Sequence, residues 1–165
     1  MPERRPRLEG KVAIVAGAGS SGPGIGNGKA ISLLFAREGA SVLLVDSVVE
    51  RAQETLAMIT AETGTASAFE ADVTSADICR EMGRAAINRY GRLDILVNVV
   101  GILALESVVD VPEETWDRLM EVNVKSIMLA SKFAIPKMIE GGGGSIVNIS
   151  SIAGLRAYNA TPYTT

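Results

Sequence analysis

Short apolar runs alternate with longer amphipathic segments along this chain, and the alternation predicts its secondary structure. Five runs are rich in aliphatic and β-branched residues, which is typical of buried strands. The predicted strands are residues 11–16, 41–46, 66–70, 93–98 and 145–149. In the segments between most of them, apolar residues recur at steps of three and four, as expected for helices. The predicted helices are residues 25–38, 48–62, 75–90 and 112–138.

Strict alternation of strands and helices predicts an α/β fold with a parallel sheet covered by helices on both faces. Right-handed crossovers then favour a doubly wound sheet, a Rossmann fold, of about five strands in the order 3-2-1-4-5. We expect a single domain over residues 11–165. Residues 1–10, with three arginines and two prolines, are expected to form a flexible tail.

Composition narrows the classes of function. The formal net charge of -3 argues against a nucleic-acid-binding protein. No apolar run approaches the ~18 residues of a membrane span, and the first residues lack a secretory signal, so we expect a cytoplasmic protein with no membrane partner. The chain has one cysteine and no histidine, which argues against histidine-based hydrolase triads and the common zinc sites. No metal site is expected.

A glycine-rich segment joins the first predicted strand to the first predicted helix. One register, a literal GxGxxG, uses Gly17, Gly19 and Gly22. The other, GxxxGxG, uses Gly17, Gly24 and Gly26 and treats residues 21–23 as an insertion. We prefer the second register because Ile25 then begins the apolar face of the helix. Glycines at such a turn let the backbone approach a pyrophosphate, whose charge the helix N-terminus stabilises.

Asp46 ends the second predicted strand and comes about twenty residues after the glycines, a spacing typical of dinucleotide sites. Its carboxylate can accept hydrogen bonds from the adenosine ribose and would repel a 2′-phosphate. Ser47 and Val48 follow it, with no arginine directly after it. The sequence therefore favours NAD over NADP. Capping of the following helix is an alternative role, and the two roles can coexist.

Polar residues also follow the third and fourth predicted strands. Asp72 and Val73 come after the third strand, and Asn98 and Gly101 come at and after the fourth. Open α/β sheets bind ligands at the carboxyl ends of their strands, so we expect these residues at the same site. A turn-and-cap role is the alternative for Asp72.

Asn123 interrupts the apolar face predicted for the long helix. That face comprises Trp116, Met120, Ile127, Ala130 and Ala134. A polar side chain at a core-facing position must form hydrogen bonds or it costs about 1–3 kcal/mol. Asn123 is therefore either a satisfied structural residue or part of a site.

With Ser151 and Tyr163 added, these motifs resemble the short-chain dehydrogenase/reductase family from about Leu8 to Thr165. The resemblance implies that cofactor is bound by the glycine loop, Asp46, Asp72 and Val73, and by Asn98 and Gly101. The family's Asn-Asn-Ala-Gly segment is altered here, because Val99 and Val100 replace its two middle residues.

The resemblance also implies catalytic roles. Tyr163 would exchange a proton with the substrate oxygen, Ser151 would hydrogen-bond that oxygen, and Asn123 would hold a helix bend and a water leading to a catalytic lysine. Free tyrosine has a pKa near 10, so activity at neutral pH requires lowering it by about 3 units, or ~4 kcal/mol. Tyr158 is a weaker candidate, because the residue four positions after it is Pro162.

The family's lysine would fall at position 167, so the chain resembles an N-terminal part of the family that ends just before this residue. We therefore expect an incomplete domain that lacks the C-terminal portion of the fold and is inactive by itself.

The expected activity of the complete protein is hydride transfer between NAD and a small alcohol or ketone substrate, in a homo-oligomer, a tetramer or dimer. One alternative is a non-catalytic nucleotide-binding module. Another, an S-adenosylmethionine methyltransferase, leaves Asn123, Ser151 and Tyr163 unexplained.

Overall fold

A computed structural model describes residues 5–154, which form a five-stranded parallel sheet with helices on both faces. The strands are β1 Val12–Ala16, β2 Ser41–Asp46, β3 Thr65–Glu70, β4 Ile95–Asn98 and β5 Ser145–Asn148. Their spatial order is β3-β2-β1-β4-β5, and every neighbouring pair is parallel. The predicted α/β fold and its 3-2-1-4-5 strand order are confirmed.

Five α-helices connect the strands. They are α1 Asn27–Arg37, α2 Val49–Ala61, α3 Ala76–Tyr90, α4 Glu113–Met120 and α5 Ser126–Glu140. A π-helical turn, Glu121–Lys125, joins α4 to α5. Within the described residues, none of these helices combines the length and the apolar character needed to cross a membrane.

Successive residues of the central strands face opposite helix layers. Ile14 packs in a buried cluster with Leu96 and with Met82 of α3, whereas Val15 packs with Val97 and with Leu33 of α1. Because both faces are buried, β1, β2 and β4 consist of nearly continuous apolar residues. This is why the apolar runs were sufficient to locate the strands.

The long helix differs from the sequence-based expectation. It was predicted as one regular helix over 112–138, but the π-helical turn widens it at its centre and changes which residues face the core. Leu119 and Val122 are buried, whereas Trp116 and Met120 are 42% and 43% exposed. The prediction that Trp116 and Met120 share the core face was therefore wrong, since a constant 3.6-residue repeat does not hold across the turn.

The start of α1 also differs from the prediction. The helix begins at Asn27 with Gly26 as its N-cap, and Ile25, expected to begin the apolar face, is 61% exposed. Residue Gly28 instead provides the close approach of helix to strand, because a Cβ there would lie 1.7 Å from the carbonyl oxygen of Gly17. The loop between them bulges outward, and no atom lies within 4 Å of a Cβ built on Gly24.

Part of the segment expected to be a tail contacts the domain. The backbone N–H of Leu8 donates to the carbonyl oxygen of Glu38 at 2.8 Å, and its side chain packs against the cluster formed with α1 and α2. Arg7 forms an ion pair with Glu38 at 3.2 Å. These contacts tie residues 7 and 8 to the end of α1.

Asp94 connects β1 and β4 at their amino-terminal ends, on the side of the sheet away from the carboxyl ends of the strands. It is 5% exposed, and its Oδ2 accepts from the backbone N–H of Val12 at 3.0 Å and from Nε of Arg92 at 2.7 Å. Lys11 Nζ donates to Oδ1 at 3.2 Å. Burial by itself raises the pKa of Asp94, but the hydrogen bonds from Arg92, Val12 and Lys11 together outweigh it, so the pKa is lowered.

The contact at Gly28 predicts a strong effect of one methyl group. Gly28→Ala should lower the free energy of unfolding by about 1–3 kcal/mol or more, because the added carbon meets backbone that cannot rotate away. Gly22→Ala is the matched control, since a Cβ there has no atom within 4 Å. Chemical denaturation of both variants tests this, and equal stabilities would show that α1 can move away from β1 at little cost.

The network at Asp94 predicts a pH-dependent contribution to stability. Asp94→Asn should cost about 1–3 kcal/mol at neutral pH, because hydrogen bonds to a charged acceptor are weakened. Since the folded-state pKa is lowered, this contribution is complete above the unfolded pKa of about 3.9 and is lost as pH falls through the lower folded value.

Denaturation curves at several pH values should therefore show that the free energy of unfolding falls less below about pH 4 in Asp94→Asn than in the unaltered protein. Glu81→Gln, which removes only an exposed ion pair with Arg84, is the control and should change little. An equally steep loss in Asp94→Asn would contradict the assignment.

Candidate functional site

A cleft of about 430 Å³ opens at the carboxyl ends of the strands, next to the point where the chain order reverses between β1 and β4. Open α/β sheets bind their ligands at this position. Six of the residues predicted to bind cofactor line it: Gly17, Gly26, Asp46, Asp72, Val73 and Gly101.

The N-terminus of α1 forms one wall of the cleft. Ser20 Oγ accepts the backbone N–H of Gly26 at 2.7 Å, which closes the glycine loop onto the helix. Asn27 and Gly28 also line the cleft, and their N–H groups, in the first helical turn, have no acceptor within the helix. These donors and the positive end of the helix dipole could hold an anion such as a pyrophosphate.

Asp46 links this loop to α2. Its Oδ2 accepts the N–H of Gly19 at 3.1 Å, and its Oδ1 accepts the N–H of Val48 at 3.0 Å. A Cβ on Gly19 would lie 2.8 Å from Oδ2 and 2.4 Å from the Cβ of Arg51, so a side chain does not fit there. A carboxylate has about four acceptor positions, and positions beyond these two bonds can accept ribose hydroxyls.

Asp72 and Val73 form the wall that follows β3. The Asp72 carboxylate accepts the backbone N–H of Thr74 at 3.0 Å and its hydroxyl at 2.7 Å. These two bonds lower the pKa of Asp72, which keeps the group ionised. The carbonyl of Val73 accepts the thiol of Cys79 at 3.3 Å, and burial raises the pKa of that thiol to about 11. Cys79 is thus an unreactive packing residue.

Three predicted cofactor-binding residues do not line the cleft. Gly24 and Ile25 belong to the exposed bulge before α1. Asn98 is 4% exposed, and its Nδ2 donates to Oδ1 of Asn148 at 2.8 Å, which joins the ends of β4 and β5. Its contact is therefore with the neighbouring strand.

Asn123 lies in the middle of the π-helical turn and holds the loop after β4. Its Oδ1 accepts the N–H of Ile102 at 2.8 Å, and its Nδ2 donates to the carbonyl of Ile102 at 2.9 Å. Because Ile102 lines the cleft, the side chain of Asn123 fixes one of the walls without lining the cleft itself. The paired bonds satisfy the polar group that interrupted the apolar pattern.

Ser151 is exposed just after β5, and its Oγ accepts the N–H of Ala153 at 3.1 Å. Tyr163 and the weaker candidate Tyr158 lie outside the described residues.

Several cleft residues were not found from the sequence. Gly28 was missed because the loop before α1 is longer than the motif, although Gly26 and Gly28 also have a GxG spacing. Arg51 and Arg118 lie inside helices, where nothing in the local pattern marks them. Among residues 5–154, no group of three or more histidine, cysteine or carboxylate side chains could hold a metal ion.

Known proteins resemble this chain in sequence. Residues 11–165 match the short chain dehydrogenase family model. The 3-oxoacyl-(acyl-carrier-protein) reductase FabG of Thermotoga maritima is 38% identical over 149 residues, which cover 90% of this chain and 58% of that protein. This chain thus spans less than two thirds of the length of that curated relative.

Solved structures agree in fold. A 7α-hydroxysteroid dehydrogenase complexed with NADH and 7-oxo glycochenodeoxycholic acid has a TM-score of 0.86 at 35% identity, covering 93% of this chain and 58% of its own. A short-chain type dehydrogenase/reductase from Mycobacterium marinum has a TM-score of 0.89 at 28% identity, covering 95% of this chain and 62% of its own. From the sheet order, the cleft and the match over residues 11–165, we conclude that this chain belongs to the short-chain dehydrogenase family.

Proposed function

We propose that the protein is an NAD-dependent oxidoreductase that transfers hydride between the nicotinamide and a small alcohol or ketone. The observation that carries this proposal is the cleft, which is lined by both the N-terminus of α1 and the carboxylate of Asp46. A hydrogen bond from Gly19 to Asp46 joins the loops that precede α1 and α2. An anion site and a hydroxyl acceptor that border the same cleft suit a dinucleotide. Membership of an oxidoreductase family supports the same conclusion.

The described residues fit such a cofactor. Glycine at position 19 leaves the backbone bare where a side chain would meet Asp46, and glycine at position 28 brings the α1 amides against the end of β1. We propose that these amides bind the pyrophosphate and that Asp46 accepts hydrogen bonds from the ribose hydroxyls. We propose that Asp72 and Val73 contact the adenine. When bound, the nicotinamide ring would supply or accept the hydride.

The remaining chemistry is a proton transfer at the substrate oxygen. We assign the proton to the hydroxyl of Tyr163 and a hydrogen bond on the same oxygen to Ser151, which follows β5. Asn123 acts through Ile102, because its two hydrogen bonds hold the loop that borders the cleft. It is therefore a positioning residue.

An apolar stripe on the outer side of the long helix supports the proposal of a homo-oligomer. Trp116, Met120, Val124 and Met128 are spaced by four residues and are between 42% and 52% exposed. Exposed apolar side chains in one continuous row are typical of a surface that a partner covers. A second copy of the protein is the occupant we propose.

The nucleotide preference follows from the charge of Asp46. We expect NADH to bind more tightly than NADPH, because the carboxylate accepts ribose hydroxyls and repels a 2′-phosphate. Asp46→Asn should narrow the ratio of the two dissociation constants by about tenfold. Glu50→Gln is the control, since Glu50 is in the first turn of α2 but does not line the cleft. Equal or tighter NADPH binding by the unaltered protein would refute the preference.

The proton-transfer assignment is tested in the full gene product by replacing two tyrosines separately. Tyr163→Phe should lower the rate of NADH formation or consumption by about a hundredfold or more with a panel of alcohols and ketones, because the proton donor is lost. Tyr158→Phe should have little effect. The reverse result would show that the register is wrong, and nucleotide binding without any turnover would favour the non-catalytic module.

A further inference from the structure

Three hydroxyl side chains are buried inside α-helices among residues 5–154, and one of them reaches a different segment of the chain. Ser32 and Ser126 donate to the carbonyl of the residue four positions earlier in their own helices. Thr55 of α2 donates in the same way to the carbonyl of Arg51 at 3.2 Å, but its shorter bond, at 2.9 Å, goes to the carbonyl oxygen of Ala18 in the glycine loop. The bond within the helix is enough to satisfy a buried hydroxyl, so the bond to Ala18 is more than burial requires.

The peptide group between Ala18 and Gly19 is held at both of its polar atoms. Its carbonyl, that of Ala18, accepts the hydroxyl of Thr55, and its N–H, that of Gly19, donates to Oδ2 of Asp46 at 3.1 Å. The N–H of Ala18, in the preceding peptide group, donates to the carbonyl of Val45 at 2.9 Å. One side chain of α2 and one of β2 thus fix the orientation of a single peptide group.

This peptide group lies between the two helices that border the cleft. A Cβ on Gly28, in the first turn of α1, would lie 3.2 Å from the Cα of Ala18, and a Cβ on Gly19 would lie 2.4 Å from the Cβ of Arg51 in α2. Gly19 and Gly28 line the cleft, whereas Ala18 is 0% exposed. The carbonyl of Ala18 therefore has no access to water and depends on a donor from the protein.

The glycines on either side of Ala18 make such a hold necessary. Gly17 has a φ of +87°, and Gly19 follows Ala18 directly. Glycine adopts a wider range of φ and ψ than other residues, so the local sequence does not fix the orientation of this peptide group. Without the hydroxyl of Thr55, a buried carbonyl loses its partner, and rotation of the peptide group toward another donor becomes favourable. That rotation would withdraw the N–H of Gly19 from Asp46.

We infer that Thr55 is a positioning residue for the dinucleotide: its hydroxyl orients the Ala18–Gly19 peptide group, which in turn holds the carboxylate of Asp46 at the cleft. This inference rests on the proposed function, because it takes Asp46 to accept the ribose hydroxyls. Thr55 does not line the cleft, so it acts through the loop and not by contact with the cofactor. Core packing by itself would not require a hydroxyl here, since valine has nearly the same branched shape.

The first test removes the hydroxyl and keeps the branched shape. In the full gene product, Thr55→Val should raise the dissociation constant of NADH by about tenfold in a fluorescence titration, because the peptide group that holds Asp46 is released. Thr55→Ser keeps the hydroxyl and should stay within about twofold of the unaltered protein. At saturating NADH, kcat of Thr55→Val should change by less than about twofold while KM for NADH rises, since only binding of the cofactor is weakened.

Hydrogen exchange of the Gly19 N–H gives a second measurement, which needs no ligand. In mass spectrometry of peptides that contain Gly19, this N–H should exchange at least about tenfold faster in Thr55→Val and at a nearly unaltered rate in Thr55→Ser. Ile59→Val is the matched control, because Ile59 lies one turn further along the same buried face of α2 and is 1% exposed. It removes a methylene and lowers stability without removing a hydrogen bond, so neither the exchange nor the affinity for NADH should change by more than about twofold.

A double variant tests the coupling to Asp46. In an Asp46→Ala background, Thr55→Val should weaken NADH binding by less than about twofold, because Gly19 then has no carboxylate to hold. A full tenfold loss there, about equal to the loss in the single variant, would overturn the inference and leave the dinucleotide site standing, as would unaltered exchange of Gly19 in Thr55→Val. If Gly19 exchanges faster but the affinity for NADH is unaltered, the hydroxyl does not position the cofactor and the inference is wrong. If the unaltered protein does not bind NADH, the proposed function fails and the inference fails with it.

Discussion

The carbonyl oxygen of Gly17 and the Cα of Gly28 meet where α1 crosses the end of β1, and a Cβ at Gly28 would be 1.7 Å from that oxygen. This contact fixes the start of the helix at the carboxyl end of β1, so that its first amides and its dipole face the cleft. The intervening residues must then leave the body of the domain. The exposed bulge before Asn27 is the result, with Ser20 closing it through the N–H of Gly26.

Asp46 connects the glycine loop to the loop between β2 and α2. By accepting N–H groups from Gly19 and Val48, its carboxylate joins the glycine loop to the start of α2. One group therefore shapes the cleft and places a negative charge in it. Arg51 of α2 also lines the cleft, so a negative and a positive side chain border the same cavity.

The far wall of the cleft depends on an irregular helix. The π-helical turn Glu121–Lys125 turns Asn123 toward Ile102, and the two hydrogen bonds between them order the loop after β4. The same turn moves Val122 into the core and leaves Trp116 and Met120 on the outer surface. A local change of helical hydrogen bonding thus serves both the site and the apolar outer stripe.

The sequence alone determined the order of strands and helices, because buried parallel strands are continuous apolar runs and right-handed crossovers leave few topologies. It also located the residues at strand ends, Asp46 and Asp72, since the strand termini were clear. It did not determine the start of α1, the turn at Asn123 or the partners of Asn98, because each depends on contacts between segments far apart in the chain. Only the tertiary structure could decide that Gly28 packs on Gly17, that Asn98 binds Asn148, and that Arg51 lines the cleft. Local pattern reports which face of a segment is buried, whereas a site is made by the distances between segments, and those are set by packing.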